Sequence, residues 1–513
     1  MSILEMPAFA KKATLRFLLI YFLFLLLSLL LFWPVLHKNF ASDDFSVLYR
    51  VINRHEIFIK DFFRPLSDIT LYFSYLVGGF DPFFYNLFNV CIHASCTYML
   101  YRFCLMRTVF NIENRAFFAW CSAILFLIYP FHNESVVWVV GRASIMACFF
   151  GFLSLLTAFS ERESRRKYLL SCIFYFIGLC GYETILPLPG IILLLLYTRG
   201  TPLKKYGFIT VAYSITLAIN LLVRYLVSGV LWGNYGSKMF SPRVMDYLSK
   251  FLKTTGRLLL PPGRHSQILA LCFIVLVIII VAISISLFKK RSQQAYIYFK
   301  ITGALTLSCI VPLMFGISTR TFEGDRLFYF SSFFLCIWLG YLLHLIKRVV
   351  LKRLLVLSVL AYFLFFFYRN IFSWKRAGEI TTAILQQTAN IKKKDRGLVL
   401  INLPEEYNGA QVLRNGFAEA LLLNHTDTTG IRVINYLITE DAEIIQGVIS
   451  PINTPGQIKI APNTTISAGI ITARIKANAN DTIQYKPAAA DLLYYWNKET
   501  FVFFSYPAPG PVN

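Results

Sequence analysis

The stretch LRFLLIYFLFLLLSLLLFWPVL, residues 15–36, decides the fold class, and ASDDF follows it at residues 41–45. An unbroken apolar run of about twenty residues, as a helix, matches the roughly 30 Å hydrocarbon core of a bilayer. Lys11 and Lys12 stand just ahead of it, as in a signal peptide. The run is too long for one, however, and no small-residue cleavage site follows. It reads as an uncleaved first span with its N-terminus in the cytoplasm. ASDDF then lies just outside the membrane, in a loop that ends near Arg64-Pro65.

The rest of the chain agrees. Of 513 residues, 57% are hydrophobic, 16% aromatic and only 15% charged, and the mean hydropathy is +0.58. A soluble domain carries about 25% charged residues, so the sequence predicts a polytopic α-helical membrane protein. The net charge of +23 comes from short cationic clusters between apolar runs. That is the distribution of cytoplasmic loops under the positive-inside rule, not a face for nucleic acid. All ten cysteines lie in or beside apolar runs, without zinc-site spacing, and the polar C-terminal part has none. This argues against a disulfide framework.

In chain order, residues 37–82 form a first outer loop that carries the acidic pair Asp43 and Asp44. It includes a short interfacial or re-entrant helix over 69–79, stopped by Gly78-Gly79-Phe80-Asp81-Pro82. Spans follow from about Phe83 inward, from Ala116 outward, and from Val136 inward to Arg162, Arg165, Arg166 and Lys167. Residues 168–198 read as two short spans with Glu183 near the outer turn. A seventh span covers about 207–228. A second outer loop, 229–264, contains a helix near 245–260 whose apolar and cationic faces suit a membrane surface and its anionic headgroups. Spans at about 266–288, 296–317, 327–346 and up to Tyr368 complete a scheme of about eleven. Every strong cationic cluster then falls on one side. Residues 1–370 are thus the membrane domain. Residues 371–513 are a small C-terminal α/β domain on the outer, periplasmic side, with a helix over 374–390, a solvated Lys392-Lys394 run, strands in GLVLINL, RVINYLI and TFVFFSY, and a helix in FAEALLL. No internal repeat is seen.

Ionisable side chains at span ends are functional candidates because hydrocarbon penalises them. By this topology Asp43, Asp44, Arg64, His132, Glu134, Arg142, Glu183, Asp325 and Arg326 share the outer face. Paired acids with nearby cations suit a reaction on a lipid-linked phosphate, in which an arginine offers parallel donors to the phosphate oxygens. The bland alternatives are solvated loop acids and helix caps for the aspartates, and a backbone hydrogen bond for His132. Glu134 reads as a sugar contact or a cap for the fourth span, and Glu183 and Asp325 as ion-pair partners or substrate contacts.

Six blocks occur in order: ASDDF, FRPLSD, YNLFNVCIH, YPFHNESVVWVVGRAS, YETILPLP and GDRLFYFSS. Together they resemble the motif series of polyprenyl-phosphate-sugar-dependent glycosyltransferases of the GT-C fold. The likeness is greatest to the protein O-mannosyltransferases with tetratricopeptide tails and their bacterial relatives, and it extends over about residues 15–376. It implies a GT-C-like membrane domain, an acidic pair that supplies the general base, a polyprenyl-phosphate-linked sugar donor, and an acceptor protein, glycan or lipid. Asp43 is the favoured base, with Asp44 positioning the acceptor. Arg142 and Arg326 come first as phosphate ligands and Arg64 third, because its place before Pro65 also suits a loop-ordering role. His132, Glu134, Glu183 and Asp325 are the substrate-side candidates. No metal is assigned, and a divalent cation, used by some GT-C enzymes, is the one cofactor left open. The chain departs from the tailed enzymes at Ser144, where they carry an acid, at Tyr182, where they carry Lys, and in its C-terminal domain.

The expectation is therefore an inverting hexosyltransferase, for mannose or another hexose, in a bacterial inner membrane. A transporter or flippase of lipid-linked saccharides is the alternative, but the paired halves typical of transporters are not seen. A membrane anchor serving a catalytic C-terminal domain is weaker still, since Arg414-Asn415-Gly416 and His425 suggest no site.

Overall fold

The computed structural model describes residues 8–60, 62–161, 164–197, 202–231, 244–263, 266–290, 293–319, 321–391, 396–401 and 403–436, with 450–451, 458–460, 464–468, 471–474, 483–485, 491–497 and 499–503. The Lys392-Lys394 run, Arg162 and the 232–243 part of the second outer loop lie outside them. The chain divides into two compact units: Met1–His37 with Glu56–Ile371, and Lys38–His55 with Phe372–Asn513. The ASDDF segment thus belongs with the C-terminal residues, whereas its position in sequence assigned it to the membrane domain.

The first unit is helical. Six of the described helices are long and apolar enough to cross a membrane: Leu15–Val35, Val139–Ala158, Leu203–Ser228, Gln293–Phe315, Asp325–Leu345 and Val349–Asn390. The bent pair Arg115–Leu127 and Pro130–Val136 makes a seventh if counted as one span. The chain is a multi-pass membrane protein, though on these criteria the described residues do not reach eleven spans. The shortfall has physical causes. Helix Pro82–Leu105 has 24 residues, enough to cross, but its buried Asn86, Asn89, His93 and Thr97 lower its mean hydropathy. Residues 168–198 fold as Arg165–Leu179 and Leu188–Tyr197 around a Glu183–Ile185 turn, both too short to span alone.

The expected fourth span does not start at Val136. Residues 130–141 instead form short turns, Pro130–His132, Asn133–Val136 and Val139–Gly141, before the helix Arg142–Ala158 begins. Pro130 opens the first turn. At Gly141 any Cβ would collide with the carbonyl oxygen of Glu134, so glycine is what lets the broken segment fold against itself.

Burial separates centre from periphery. In the most apolar window of Asp325–Leu345, 83% of residues are buried, against 17% in Leu15–Val35. An aromatic cluster surrounds this central helix, with Phe152 and Phe333 stacked at 4.0 Å between ring centroids. Rings stacked in this way bury apolar area without needing polar partners. The helix Val244–Arg257 exposes Met245, Leu248 and Phe251, which matches the amphipathic reading of this segment. The nine cysteines with described side chains are unpaired.

The second unit holds a six-stranded sheet. Leu398–Ile401 lies centrally and pairs in parallel with Leu492–Asn497 on one side and Ile431–Tyr436 on the other. Thr500–Phe503, Thr464–Ala468 and Ile471–Arg474 extend the sheet with antiparallel pairings. FAEALLL forms the helix Phe417–Leu423. This is the α/β character expected of residues 371–513. Helix 374–390 is not a separate element, because it continues the last span as one 42-residue helix, Val349–Asn390.

Candidate active site

Within the second unit the two acids of ASDDF have different surroundings. Asp44 is buried, and its Oδ2 accepts the Ala41 amide at 2.9 Å. Asp43 is half-buried, and its Oδ1 accepts from the Asn415 side-chain amide at 2.7 Å. Both open the short helix Asp43–Leu48, where carboxylates complement the exposed amides and the helix dipole. Lys38 is buried nearby, with Nζ donating to the Asn39 carbonyl at 2.7 Å and lying 5.8 Å from the Trp374 ring centre. Burial pushes its ammonium down to about 8, opposed by the carboxylate of Asp44.

Within the first unit, Arg142 is completely buried. Its Nε donates to Asn89 Oδ1 at 2.7 Å, Nη1 to the Thr70 carbonyl at 2.7 Å and to Ser74 Oγ at 2.9 Å, and Nη2 to the Tyr85 carbonyl at 2.9 Å. Phe88 covers the guanidinium at 4.4 Å. The arginine expected to grip a phosphate is thus engaged by four protein acceptors, tying helix Pro65–Gly78 to helix Pro82–Leu105.

Arg64 is the opposite case. Its guanidinium lies over the rings of Phe62 and Tyr182, at 4.3 and 4.5 Å, and makes no hydrogen bond or ion pair among the described residues. Stacking against aromatic faces leaves the in-plane N–H groups available. Arg326 reaches the same tyrosine, its Nε donating to the Tyr182 hydroxyl at 3.2 Å, and it lies over Trp138 at 5.3 Å. Glu134 anchors this side, pairing with the Arg326 guanidinium and accepting the Arg326 amide at 2.7 Å and the Gly324 amide at 3.3 Å.

The remaining acids are matched inside the protein. Asp325 pairs with the buried Arg257, whose Nε donates to the Ser318 carbonyl at 3.0 Å. Glu183 pairs with Arg224, which lies against Phe63. His132 is buried, its Nε2 hydrogen-bonded to Ser332 Oγ at 2.7 Å. Since the Ser332 hydroxyl donates to the Tyr329 carbonyl at 2.9 Å, Nε2 carries the proton of this imidazole. The expected partner for His132 was backbone; the structure sets a side-chain partner, Ser332, beside a backbone contact with Phe126. Among the described residues no three His, Cys, Asp or Glu side chains gather to hold a metal.

The fold therefore brings Arg64, Glu134 and Arg326 together around Tyr182, while Arg142 and His132 serve separate buried networks. Four participants escaped the sequence reading: Tyr182 as a hub, Arg224 and Arg257 as partners of the acids, and Asn415. Arg224 had a detectable signal, an ionisable residue inside an apolar run. Asn415 had none, because its partner is 372 residues away.

Comparison with known proteins bears on what this arrangement does. No family model matches the chain. The protein O-mannosyl-transferase TMTC1 of Mus musculus is 35% identical over 153 residues, 25% of this chain and 16% of that protein. The Homo sapiens TMTC1 is 35% identical over 95 residues, 18% of this chain and 10% of that protein. The protein O-mannosyl-transferase tmtc2 of Xenopus laevis is 31% identical over 164 residues, 28% of this chain and 19% of that protein.

The chain is similar to protein O-mannosyl-transferases. That likeness bears out the one carried by the six motif blocks, although the chain matches less than a fifth of the length of any of these three protein O-mannosyl-transferases. Two solved structures also align. The arabinofuranosyltransferase AftD from Mycobacteria covers 90% of the chain, and 40% of its own, at 12% identity and a TM-score of 0.39. ArnT from Cupriavidus metallidurans in the apo state covers 86%, and 95% of its own chain, at 10% identity and a TM-score of 0.38.

Proposed function

We propose that the chain is an inverting glycosyltransferase of the membrane, moving a hexose such as mannose from a polyprenyl-phosphate donor to an acceptor hydroxyl on a protein, glycan or lipid. The observation that carries this reading is the division between the two acids of ASDDF. Asp44 is occupied with its own loop, whereas Asp43 is half-exposed with Oδ1 held and Oδ2 without a partner among the described residues. That is the state a general base requires. Sequence similarity to protein O-mannosyl-transferases supports the choice of reaction.

The chemistry needs few groups. Asp43 takes the proton of the acceptor hydroxyl as its oxygen attacks the anomeric carbon. The bond from that carbon to the phosphate oxygen breaks, and its electron pair leaves with polyprenyl phosphate, an anion that needs no proton. One displacement without a carboxylate nucleophile inverts the anomeric configuration. A positioned base of this kind contributes about 10²- to 10⁴-fold.

For the donor phosphate the reading now favours Arg64, with Arg326 beside Tyr182, because the donors of Arg142 are committed to the protein. A planar guanidinium with available in-plane donors suits two phosphate oxygens at once. Glu134, Glu183 and Asp325 are assigned to holding arginines rather than sugar. The distribution of cationic clusters supports a reading in which the acceptor side and the C-terminal residues lie outside the cytoplasm, and we infer a bacterial inner membrane as the location. The test is to replace Asp43 and Asp44 singly by Asn and to follow loss of sugar from the lipid donor. Full activity in Asp43→Asn would remove the assignment, whatever Asp44→Asn does.

A further inference from the structure

The turn after the hairpin strand Ala410–Gln411 is bound closely to the acidic segment of the same unit. The Ser42 amide donates to the Val412 carbonyl at 2.7 Å, and the Asn415 amide donates to Ser42 Oγ at 3.3 Å. Asn415 Nδ2 then reaches Asp43 Oδ1 at 2.7 Å. Gly416, at φ +79°, approaches so near that a Cβ would lie 2.6 Å from the Ser42 carbonyl oxygen. A side chain at 416 would push the two segments apart, and its backbone conformation independently calls for glycine.

Ser42 itself is strained, at φ 51° and ψ −123° without being glycine. Such a backbone costs on the order of 1–3 kcal/mol and persists only where its surroundings hold it. Here the hold comes from residues 412–416, which grip Ser42 at both its amide and its hydroxyl. The strained residue immediately precedes Asp43. The asparagine that completes the grip is the one that bonds the carboxylate.

We propose that Asn415 is the positioning residue of the base: its amide clamps Asp43 Oδ1 and fixes the carboxylate plane so that Oδ2 is the oxygen presented to the acceptor hydroxyl. This rests on the reading of Asp43 as the base. It makes the C-terminal residues part of the catalytic apparatus, through a side chain that acts on the base and not on substrate.

The experiment uses the full chain in lipid nanodiscs with a panel of polyprenyl-phosphate hexoses (mannose, glucose, galactose and N-acetylglucosamine), membrane extract as acceptor, and the donor that the wild type consumes. Asn415→Ala lowers kcat by about 10- to 100-fold, the scale of a misplaced catalytic group, and leaves the donor KM within about three-fold. Asn415→Asp donates only while its own carboxyl is protonated, so this variant acquires an alkaline fall in kcat that the wild type lacks. Thermal melting of each variant separates misfolding from misplacement. If Asp43→Asn is inactive but Asn415→Ala keeps the wild-type kcat, the inference fails alone. If the activity of Asn415→Ala falls only with the folded fraction, and Asn415→Asp keeps the wild-type pH profile, the role is structural and the inference fails. If the wild type consumes no donor, or Asp43→Asn is fully active, the functional reading fails and takes the inference with it.

Discussion

The carboxylate of Asp44 accepts the amide proton of Ala41 at 2.9 Å, closing a turn within the segment that precedes helix Asp43–Leu48. Adjacent acids therefore do different work, and their Asn variants should differ in kind. Asp43→Asn removes the proposed base and is expected to lower kcat by about 10²-fold or more, with little change in melting temperature. Asp44→Asn keeps an acceptor for Ala41 but removes the negative charge beside buried Lys38. It should melt lower, by the equivalent of about 1–3 kcal/mol, and retain kcat in its folded fraction. Activity per folded molecule, with thermal melting, distinguishes the two.

Arg142 and Arg64 should separate in the same way. Arg142→Ala strips Asn89 Oδ1 of its donor and removes one donor each from Ser74 Oγ and the Thr70 and Tyr85 carbonyls, although Ser74 Oγ still donates to the Thr70 carbonyl. Each buried polar group left unmatched costs about 1–3 kcal/mol, so this variant should fail to accumulate in membranes. Immunoblots of membrane fractions read the outcome, and wild-type levels would overturn the account.

Arg64→Ala removes a side chain with no hydrogen bond or ion pair among the described residues. It should melt within a few degrees of the wild type and raise the donor KM by about ten-fold, about 1.4 kcal/mol of binding. Arg64→Lys should restore part of this only, since an ammonium neither stacks on Phe62 and Tyr182 as a planar cation does nor offers parallel donors. Steady-state kinetics over donor concentration checks both variants.

Much of this molecule was legible in the residues. A first span is plain in residues 15–36 because twenty apolar residues have few other soluble or membrane solutions. The surface helix near 245–260 and the strands at 398 and 431 followed from periodicity. Residues 130–141 were not legible, because the apolar run VVWVV conceals a break set by Pro130 and by contact between Gly141 and Glu134. Helix Pro82–Leu105 is the converse case: the span read from about Phe83 is there at 24 residues, although its buried Asn86, Asn89 and His93 lower its hydropathy. At the candidate site, residue type singled out the ionisable side chains but not their wiring. Which acid is free, and which arginine is engaged, depends on partners such as Asn415 for Asp43 and Asn89 for Arg142, and no local pattern encodes those.

Lys38 gives the acid segment a pH dependence. Burial holds its pKa at about 8 in the folded chain, below the ordinary lysine value of about 10.4 expected when unfolded. Below pH 8 both states are protonated, and the folded state bears the full cost of a buried charge. Between about pH 8 and 10 the folded chain has released a proton that the unfolded chain still binds, so stability rises with pH across that window. Lys38→Met removes the titrating group. Thermal melting from pH 7.5 to 10 should show the rise in the wild type and not in the variant, and parallel curves would refute it.

Glu183 and Arg224 pair within the bundle, and the arginine also donates to the Leu179 carbonyl at 3.3 Å. Removing one partner of a buried pair strands the other charge and costs about 3–5 kcal/mol, whereas replacing both with neutral groups of similar size is often tolerated. Glu183→Gln should therefore be markedly destabilised, and Glu183→Gln with Arg224→Met should recover most of the loss. Glu183 also lies within electrostatic reach of Arg64, so the double variant should keep its kcat within about three-fold while its donor KM shifts more. A double variant that melts like the wild type yet has lost transfer would instead make Glu183 a substrate contact, restoring the role that its position at a span end first suggested.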